Sequence, residues 1–240
     1  MTARSLTLMA TLAAATAGIS GCSNSSTGPN GASYKPNIPT TWASAVTNTY
    51  LPLVPGTTYR YQGQTAEGLE TITVEVLSAT RVVNGVTATV VRDRVFLAGN
   101  LIEDTFDWYA QDNAGNVWYL GEDSKEIQNG QVLNTEGSWE WGKDGALPGI
   151  IMWADPAAHI GEEYRQEYYE GEAEDFAKVV AVAETVTVPF GRLTNCIKTE
   201  DWNSLESGGR EFKFYCAGVG MALEVKIQGG ERVELISKTP

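Results

Sequence analysis

The sequence contains few of the residues that enzymes and metalloproteins most often use at their sites. It has one histidine, His159, and three cysteines in 240 residues. Structural zinc sites need several cysteines and histidines, so the composition argues against zinc. A Ser-His-Asp triad would have to use His159, which lies in the irregular stretch ADPAAHIG, and no Gly-x-Ser-x-Gly motif accompanies it. We therefore interpret His159 as a surface residue.

Positive charge is also scarce, since 17 Lys and Arg face 30 Asp and Glu and give a formal net charge of -13. Binding to nucleic acid depends on clusters of Lys and Arg that neutralise phosphates, so the charge excludes it as a partner. The chain has no glycine-rich phosphate loop, no dinucleotide fingerprint and no EF-hand spacing. The acidic excess leaves divalent cations as candidate partners.

The N-terminus has no apolar run long enough to span a bilayer stably. LTLMATLAAATAG follows Arg4 and leads into Ile19-Ser20-Gly21-Cys22. This arrangement resembles the lipobox of bacterial lipoproteins, in which an aliphatic and two small residues precede a cysteine. The resemblance implies a signal peptide at residues 1–21 and lipidation of Cys22. The alternative is an ordinary secretory signal, cleaved near an Ala-x-Ala sequence, in which Cys22 is incidental.

The lipobox also implies a location in the cell envelope. The lipid would anchor the protein on the periplasmic or cell-surface side, at the outer membrane if the cell is Gram-negative. Ser, Asn, Gly and Pro dominate the sequence that follows Cys22 and give it no apolar period. We interpret residues 22–48 as the lipidated cysteine and a flexible tether, and residues 49–240 as a single domain.

The domain has no convincing helical period, apart from a candidate around Pro156 to His159. After residue 55, short runs rich in β-branched and aromatic residues alternate with turn signals such as Asn84-Gly85 and Asn129-Gly130. This pattern predicts an all-β antiparallel meander, a curved sheet tending to an open barrel, with a β-sandwich as the alternative. Residues 145–161 interrupt the strand rhythm, and we expect them to cross between the two halves of the sheet or to cap an open end.

Three motifs resemble those of a family of uncharacterised bacterial lipoproteins and secreted β-domains. They are LPLVPGTTYRYQG, VPFGRLTNCIKTE and FYCAGVGMALEV, which resemble the family elements PLxPGxxWxY, PxGxFxxCxK and YYAPGVGxVxE. The resemblance covers about residues 51–237 and implies the fold, but says almost nothing about function. The chain departs from the family at Tyr59, where Trp is usual, at Leu193, where Phe is usual, and at Cys216-Ala217.

Cys196 and Cys216 remain once Cys22 is assigned to the lipid, and an exported protein meets an oxidising compartment. A hairpin turn centred on Glu206 places the two cysteines directly opposite each other, but it also places Asp201 against Glu211. A shift of two residues pairs Asp201 with Lys213 and leaves the cysteines on a diagonal. Both registers keep the two cysteines on one face, and a bulge could reconcile them. We predict a disulfide, and the alternative is two buried free thiols.

The stretch EDTFDWYAQDNAGNVWYLGED, residues 103–123, predicts a β-hairpin. Its DNAG sequence fits a type I turn followed by glycine in the left-handed region, which places Tyr109 opposite Tyr119. One face then carries Phe106, Trp108 and Trp118, which are candidate ligand-facing aromatics. Because buried aromatic faces are more often core, the packing role is the competing interpretation.

A candidate metal site lies on the same face of the hairpin. If a two-residue loop at Gly99-Asn100 joins this hairpin to the preceding strand, Asp93 and Asp104 lie near Glu122. Like charges this close repel unless a proton or a cation neutralises them, and oxygen ligands suit Ca²⁺. A one-residue slip would instead send these carboxylates to solvent.

These observations favour a lipid-anchored, non-catalytic envelope protein that binds a small ligand, a cation or another envelope protein. The membrane would be contacted through the N-terminal lipid only. One alternative is a secreted hydrolase that acts on glycans through paired carboxylates among Asp93, Asp104 and Glu122. Another is a purely structural surface module. The scarcity of catalytic residue types favours a protein without an enzymatic activity.

Overall fold

The computed structural model describes residues 34–206 and 209–240. The predicted signal peptide, residues 1–21, and the predicted lipidation site Cys22 lie outside the described residues. Within the described parts of the chain, no helix has the length and apolar character needed to cross a membrane.

The described residues form strands almost throughout, with one 3-10 helix at Pro156–His159. The strands are β1 (Val46–Thr47), β2 (Pro52–Leu53), β3 (Thr58–Thr65), β4 (Gly68–Val83), β5 (Val86–Leu97), β6 (Asn100–Gln111), β7 (Val117–Asp123), β8 (Glu126–Gln128), β9 (Gln131–Asn134), β10 (Trp139–Glu140), β11 (Leu147–Met152), β12 (Glu163–Arg165), β13 (Glu167–Tyr168), β14 (Asp175–Val188), β15 (Gly191–Asn203), β16 (Glu211–Cys216), β17 (Gly220–Lys226) and β18 (Arg232–Thr239).

Thirteen of these strands form one antiparallel sheet that curves into a nearly closed barrel. Their order is β12, β14, β15, β16, β17, β18, β3, β4, β5, β6, β7, β11 and β13. The predicted all-β open barrel is confirmed. Most neighbours in the sheet are consecutive in sequence because tight turns join them, as at Asn84-Gly85, where both residues have positive φ.

The two ends of the sheet meet at one short stretch of chain, Glu163 to Tyr168. β12 pairs with β14, β13 pairs with β11, and only Gln166 separates β12 from β13. Within the described residues no ladder joins β11 to β12, so a seam stays unsealed there. The predicted interruption at residues 145–161 therefore contributes a strand, β11, to one side of this seam, and the 3-10 helix follows it.

The sheet buries side chains on both of its faces. The inner core includes Tyr61, Ile72 and Tyr215, and a second core on the outer face includes Val90 and Leu120. Successive residues of a strand point to opposite faces. Strands buried on both faces therefore lack a clean apolar and polar alternation.

The disulfide is present and joins Cys196 to Cys216, as predicted. The two cysteines are directly opposite each other in the β15–β16 ladder, which also pairs Asp201 with Glu211. Lys213 offsets that repulsion, because its Nζ lies 3.0 Å from Glu211 and 3.7 Å from Asp201.

The described part of the predicted tether is folded onto the barrel. The Tyr34 hydroxyl donates a hydrogen bond to the carbonyl of Pro148, Trp42 forms a bridge with Asp112, and Val46 is buried. The domain thus begins before the predicted boundary at residue 49. The polar composition of this segment gave no indication of these three anchoring side chains. Each of them has an apolar or hydrogen-bonding partner on the barrel.

Candidate functional site

The β6–β7 hairpin has the predicted turn and the predicted faces. Gly115 has φ of 96°, its amide donates to the Asp112 carbonyl at 3.0 Å, and Tyr109 lies opposite Tyr119. Tyr109 and Tyr119 stack on the inner face with ring centroids 4.9 Å apart. The turn chemistry therefore sets which side chains of this hairpin enter the barrel.

The candidate aromatics Phe106, Trp108 and Trp118 lie on the outer face, in or against the second core. The Trp118 indole donates to Asp112, and the Arg81 guanidinium lies 3.9 Å from the centroid of the Trp108 ring. Trp118 lines a cleft at the seam and Trp108 lines a smaller cavity, while Phe106 lies below cationic side chains. Their main role in the fold is packing.

The β5–β6 turn differs from the prediction by one residue. The loop is Ala98-Gly99, both with positive φ, and Leu97 pairs with Asn100. This change of loop moves the pairing by two residues and leaves the faces of the strand unchanged. A bulge between Leu101 and Glu103 then shifts the register by one residue. A one-residue shift moves every following side chain of a strand to the other face. Asp104 therefore lies on the outer face, where both carboxylate oxygens accept hydrogen bonds from Arg92 at 2.7 and 2.8 Å.

The predicted trio is consequently not brought together, because Asp93 and Glu122 lie inside the barrel and Asp104 outside. A bulge at Gly121 turns Glu122 toward the inside of the barrel, where it pairs with Asp107. Gly121 has φ of 137°, and a Cβ there would lie 2.4 Å from the Trp139 carbonyl oxygen. A glycine inside a strand is the signal that indicates such a bulge.

The inner face of the barrel carries many more carboxyl groups than the prediction anticipated. Nine of them are buried: Glu70, Asp93, Glu103, Asp107, Glu122, Glu167, Asp175, Asp201 and Glu224. Lys213 is the lysine buried among them in the described chain. Burial, followed by the charges of Asp107 and Glu103, raises the pKa of Asp93 well above its ordinary range.

The carboxyl groups differ in whether they have hydrogen-bond partners. Tyr119 donates its hydroxyl proton to Asp107 at 2.7 Å. Neither oxygen of Asp93 and neither oxygen of Glu122 has a hydrogen-bond partner among the described residues. Tyr119 has a single hydroxyl proton, so it cannot also satisfy Glu122. Two fully buried, unsatisfied carboxyl groups therefore lie on the inner face.

A preassembled metal centre is absent from the described residues. No three side chains of Asp, Glu, His or Cys in residues 34–206 and 209–240 are grouped so that they could hold an ion. Ca²⁺ needs six to eight oxygen ligands. The cation prediction built on Asp93, Asp104 and Glu122 therefore has no matching geometry.

A cleft of about 710 Å³ lies over the unsealed seam. Its walls come from β7, β11, β12 and the N-terminal segment, and include Tyr34, Ile38, Trp118, Ile150, Trp153, Tyr164 and Arg165. The volume falls in the range of small-molecule sites, which are mainly apolar with a few placed polar groups. We refer to this feature as the seam cleft.

Arg165 is the buried cation of the seam cleft. Its guanidinium lies 4.2 Å from the Phe176 ring centroid and 4.7 Å from that of Tyr168, and its terminal nitrogens are 3.4 Å from Glu174. Glu174 thus balances the charge of Arg165. The Arg165 Nε is buried without an acceptor among the described residues.

Trp153 supplies a second donor of the same kind. Its indole stacks on His159 at 3.8 Å and meets Tyr164 edge-on at 5.4 Å, while its buried Nε1 has no acceptor within the described chain. An unsatisfied buried donor is costly, and it marks a place where a ligand or water accepts. The seam cleft therefore has aromatic walls and two unsatisfied N–H groups.

The close approach of β11 to the strand across the seam depends on Gly149. A Cβ at this position would lie 2.3 Å from the backbone carbon of Gln166. The Gln166 side chain in turn donates to Asp201 inside the barrel at 3.3 Å. The backbone contact at Gly149 lies next to the cleft, because the neighbouring residues Ile150 and Arg165 line it.

Sequence reasoning did not identify Tyr34, Tyr164 or Arg165 as site residues. Tyr34 falls in a segment with the composition of a tether, and the other two follow an irregular stretch. Their proximity arises from sheet closure, which brings β12 next to β11 and β7. The interruption at residues 145–161 was the one available signal, because breaks in strand rhythm mark places where a sheet opens.

Comparison of the chain with protein-family models, with curated proteins and with solved structures gives no match. The functional argument therefore depends on the geometry and chemistry of the described residues. The seam cleft combines aromatic walls with two unsatisfied buried donors.

Proposed function

We propose that this protein is a lipid-anchored, non-catalytic protein of the bacterial cell envelope that binds a carbohydrate in the seam cleft. The observation that carries the proposal is the pair of buried N–H donors, Arg165 Nε and Trp153 Nε1, in an aromatic-lined cleft. The lipobox-like sequence ending at Cys22 supports the location, and the family resemblance supports an exported lipoprotein.

A sugar fits the chemistry of the cleft better than a free anion does. Glu174 already matches the charge of Arg165, so the cleft does not call for a second negative charge. Sugar hydroxyls both accept and donate hydrogen bonds, which suits N–H donors on one side and Asp112 on the other. The apolar face of a sugar ring can lie against Trp118 or Tyr164, as amphipathic ligands do on aromatic side chains.

The anchor and the cleft are close in sequence. Tyr34, which lines the cleft, follows Cys22 by 12 residues. Twelve extended residues span at most about 40 Å. The cleft would therefore work within that distance of the membrane surface, where envelope glycans lie. Replacing Cys22 with serine should move the protein from the membrane fraction to the soluble fraction.

The test measures binding of a panel of mono- and disaccharides, including N-acetylglucosamine and cellobiose. Ligand-observed NMR on the full-length protein in detergent detects the binding. Trp153→Phe keeps a smaller aromatic ring and removes the N–H donor. We expect this variant to bind the best sugar about tenfold more weakly, as for a lost hydrogen bond.

Trp202→Phe is the matched control, because Trp202 stacks on Phe176 at 5.5 Å and is not among the residues that line the cleft. Its affinity should equal that of the unmodified protein. Sugar binding that is equally strong in Trp153→Phe would remove the cleft from the proposal. Failure of every sugar at millimolar concentration would remove the carbohydrate.

A further inference from the structure

A second cavity, of about 320 Å³, lies between β7 and β10 on another part of the barrel. Its lining includes Arg81, Trp108, Glu122, Trp139, Glu140 and Tyr169. None of these residues lines the seam cleft, so the two features are independent sites. We call this feature the Glu122 cavity.

Glu122 is the buried polar group of this cavity. The residue is 2 % exposed, and neither carboxylate oxygen has a hydrogen-bond partner among the described residues. The hydroxyl of Tyr119 gives its hydrogen bond to Asp107 at 2.7 Å, and the indole of Trp139 on the adjacent strand gives its hydrogen bond to Glu167 at 2.6 Å. Glu122 therefore presents an unsatisfied acceptor to the cavity.

Two of the other acidic side chains that line the cavity, Glu140 and Asp123, already have cationic partners, and a third, Asp144, is exposed to solvent. Glu140 binds Arg81 at 2.6 Å and Lys143 at 2.8 Å, and Asp123 binds Lys125 at 2.7 Å. These pairs neutralise the mouth of the cavity with the protein's own cations. Glu122 has no such partner, and a ligand cation would supply the missing charge.

We propose that the Glu122 cavity binds a small organic cation, an amine or a guanidine, with its charged nitrogen on Glu122 and its body against aromatic rings. Trp139 and Tyr169, which pack with the inner core, provide those rings. Cations bind favourably over the faces of such rings. Arg81, whose side chain is 43 % exposed, already places a guanidinium over Trp108 and so displays this chemistry with a residue of the chain.

An organic cation fits the cavity better than a metal ion does. A metal needs several oxygen ligands that converge on one point, and the described residues contain no such group of three. An ammonium or a guanidinium needs few acceptors and gains from aromatic walls. The cavity size suits a ligand of a few carbon atoms, because it lies at the lower end of small-molecule sites.

Binding of the cation should be linked to release of a proton. Burial, followed by the negative charges of Glu167 and Asp107, raises the pKa of Glu122 well above its ordinary range. Glu122 thus holds a proton in the empty cavity and must lose it to pair with a cation. The affinity should rise about tenfold for each pH unit until Glu122 is ionised.

The experiment compares n-butylamine with n-butanol, a neutral molecule of the same shape, by calorimetry on the full-length protein in detergent. Butylamine should bind, and its affinity should rise with pH while the amine itself stays charged. Butanol should give no measurable heat. Equal binding of the two molecules would show an apolar pocket and overturn the proposal, as would failure of butylamine at every pH.

Two glutamate variants locate the site. Glu122→Gln should weaken butylamine binding by about tenfold or more, because a hydrogen bond to a charged group is lost. Glu136→Gln, on the exposed loop before β10, should leave it unchanged. Butylamine binding that is the same in both variants would place the cation elsewhere.

Two further measurements test the proposed site with a second variant and with a metal ion. If Glu122→Gln fails to fold, Tyr169→Leu should still weaken butylamine binding, since it removes an aromatic wall and leaves the carboxylate. CaCl₂ should give no heat that depends on Glu122, and such a heat would replace the organic cation with a metal ion. Loss of sugar binding at the seam cleft would not affect any of these outcomes.

Discussion

Asp93 and Asp104 lie on neighbouring strands and have opposite surroundings. Asp104 lies on the outer face of β6, and both of its carboxylate oxygens accept hydrogen bonds from Arg92. Asp93 lies on the inner face of β5, is 1 % exposed and has no hydrogen-bond partner among the described residues. The barrel wall therefore separates a balanced outer surface from an inner surface with excess carboxyl groups.

The comparison shows where acidic charge costs stability. An outer ion pair contributes about 0–1 kcal/mol, because water competes for both partners. An inner carboxyl group cannot stay charged without a partner, so its proton affinity rises instead. The outer face thus gains little from its pairs, while the inner face couples folding to protonation. Of the two proposed sites, the Glu122 cavity includes one of these inner carboxyl groups.

The largest expected effect is on the pH dependence of stability. Burial raises the pKa of Asp107 and of Asp175 from 3.8 to about 8. Between these two values the folded protein holds protons that the unfolded chain releases, so the free energy of unfolding falls as the pH rises. We expect a loss of several kcal/mol between pH 4 and pH 8, measured by urea denaturation.

Asp93→Asn is the control that assigns this profile to the inner face. Asparagine has the same shape and no proton to lose, so the variant should be more stable than the parent protein at pH 8 and little changed at pH 4. Its profile should also be flatter. A parent profile that is level or rises toward pH 8 would contradict protonation of the inner carboxyl groups.

The second largest effect concerns the residue that places Glu122 inside. Gly121→Ala should cost about 3 kcal/mol, because it combines a strained φ with a clash against Trp139. Gly130→Ala is the matched control: Gly130 also has positive φ, but a Cβ there meets nothing within 4 Å, so its cost should be about 1 kcal/mol. Differential scanning calorimetry of both variants gives the comparison, and equal losses would mean that Glu122 does not need the bulge.

The sequence was sufficient for the elements of the fold and insufficient for their exact offsets. Turn residues fixed the β6–β7 register, because DNAG permits few loop conformations. At the β5–β6 turn, Ala98-Gly99 and Gly99-Asn100 both supply a plausible two-residue loop. Non-glycine Ala98 takes positive φ only because the sheet determines the register. The bulge between Leu101 and Glu103 then shifts the register by one residue, which places Asp104 outside and Asp107 inside.

The sites depend on contacts that no local pattern encodes. The seam cleft forms because β12 and β13 divide their pairing between β14 and β11, which are distant in sequence. The Glu122 cavity forms because β10 pairs with β7 beyond the Gly121 bulge. Hydrophobic periodicity predicts which residues are buried, but the identity of facing residues follows from closure of the whole sheet.

The smallest expected effect on stability comes from a substitution on the outer face. Asp104→Asn should lower the free energy of unfolding by less than about 1 kcal/mol, because its partner Arg92 remains partly in water. Added NaCl should reduce the difference between the variant and the parent, since salt screens partly exposed pairs. Urea denaturation at low and high NaCl measures it. At pH 8 the sign is opposite to that of Asp93→Asn, so a stabilising Asp104→Asn would mean that this carboxylate, too, is inadequately paired and that the two faces do not differ.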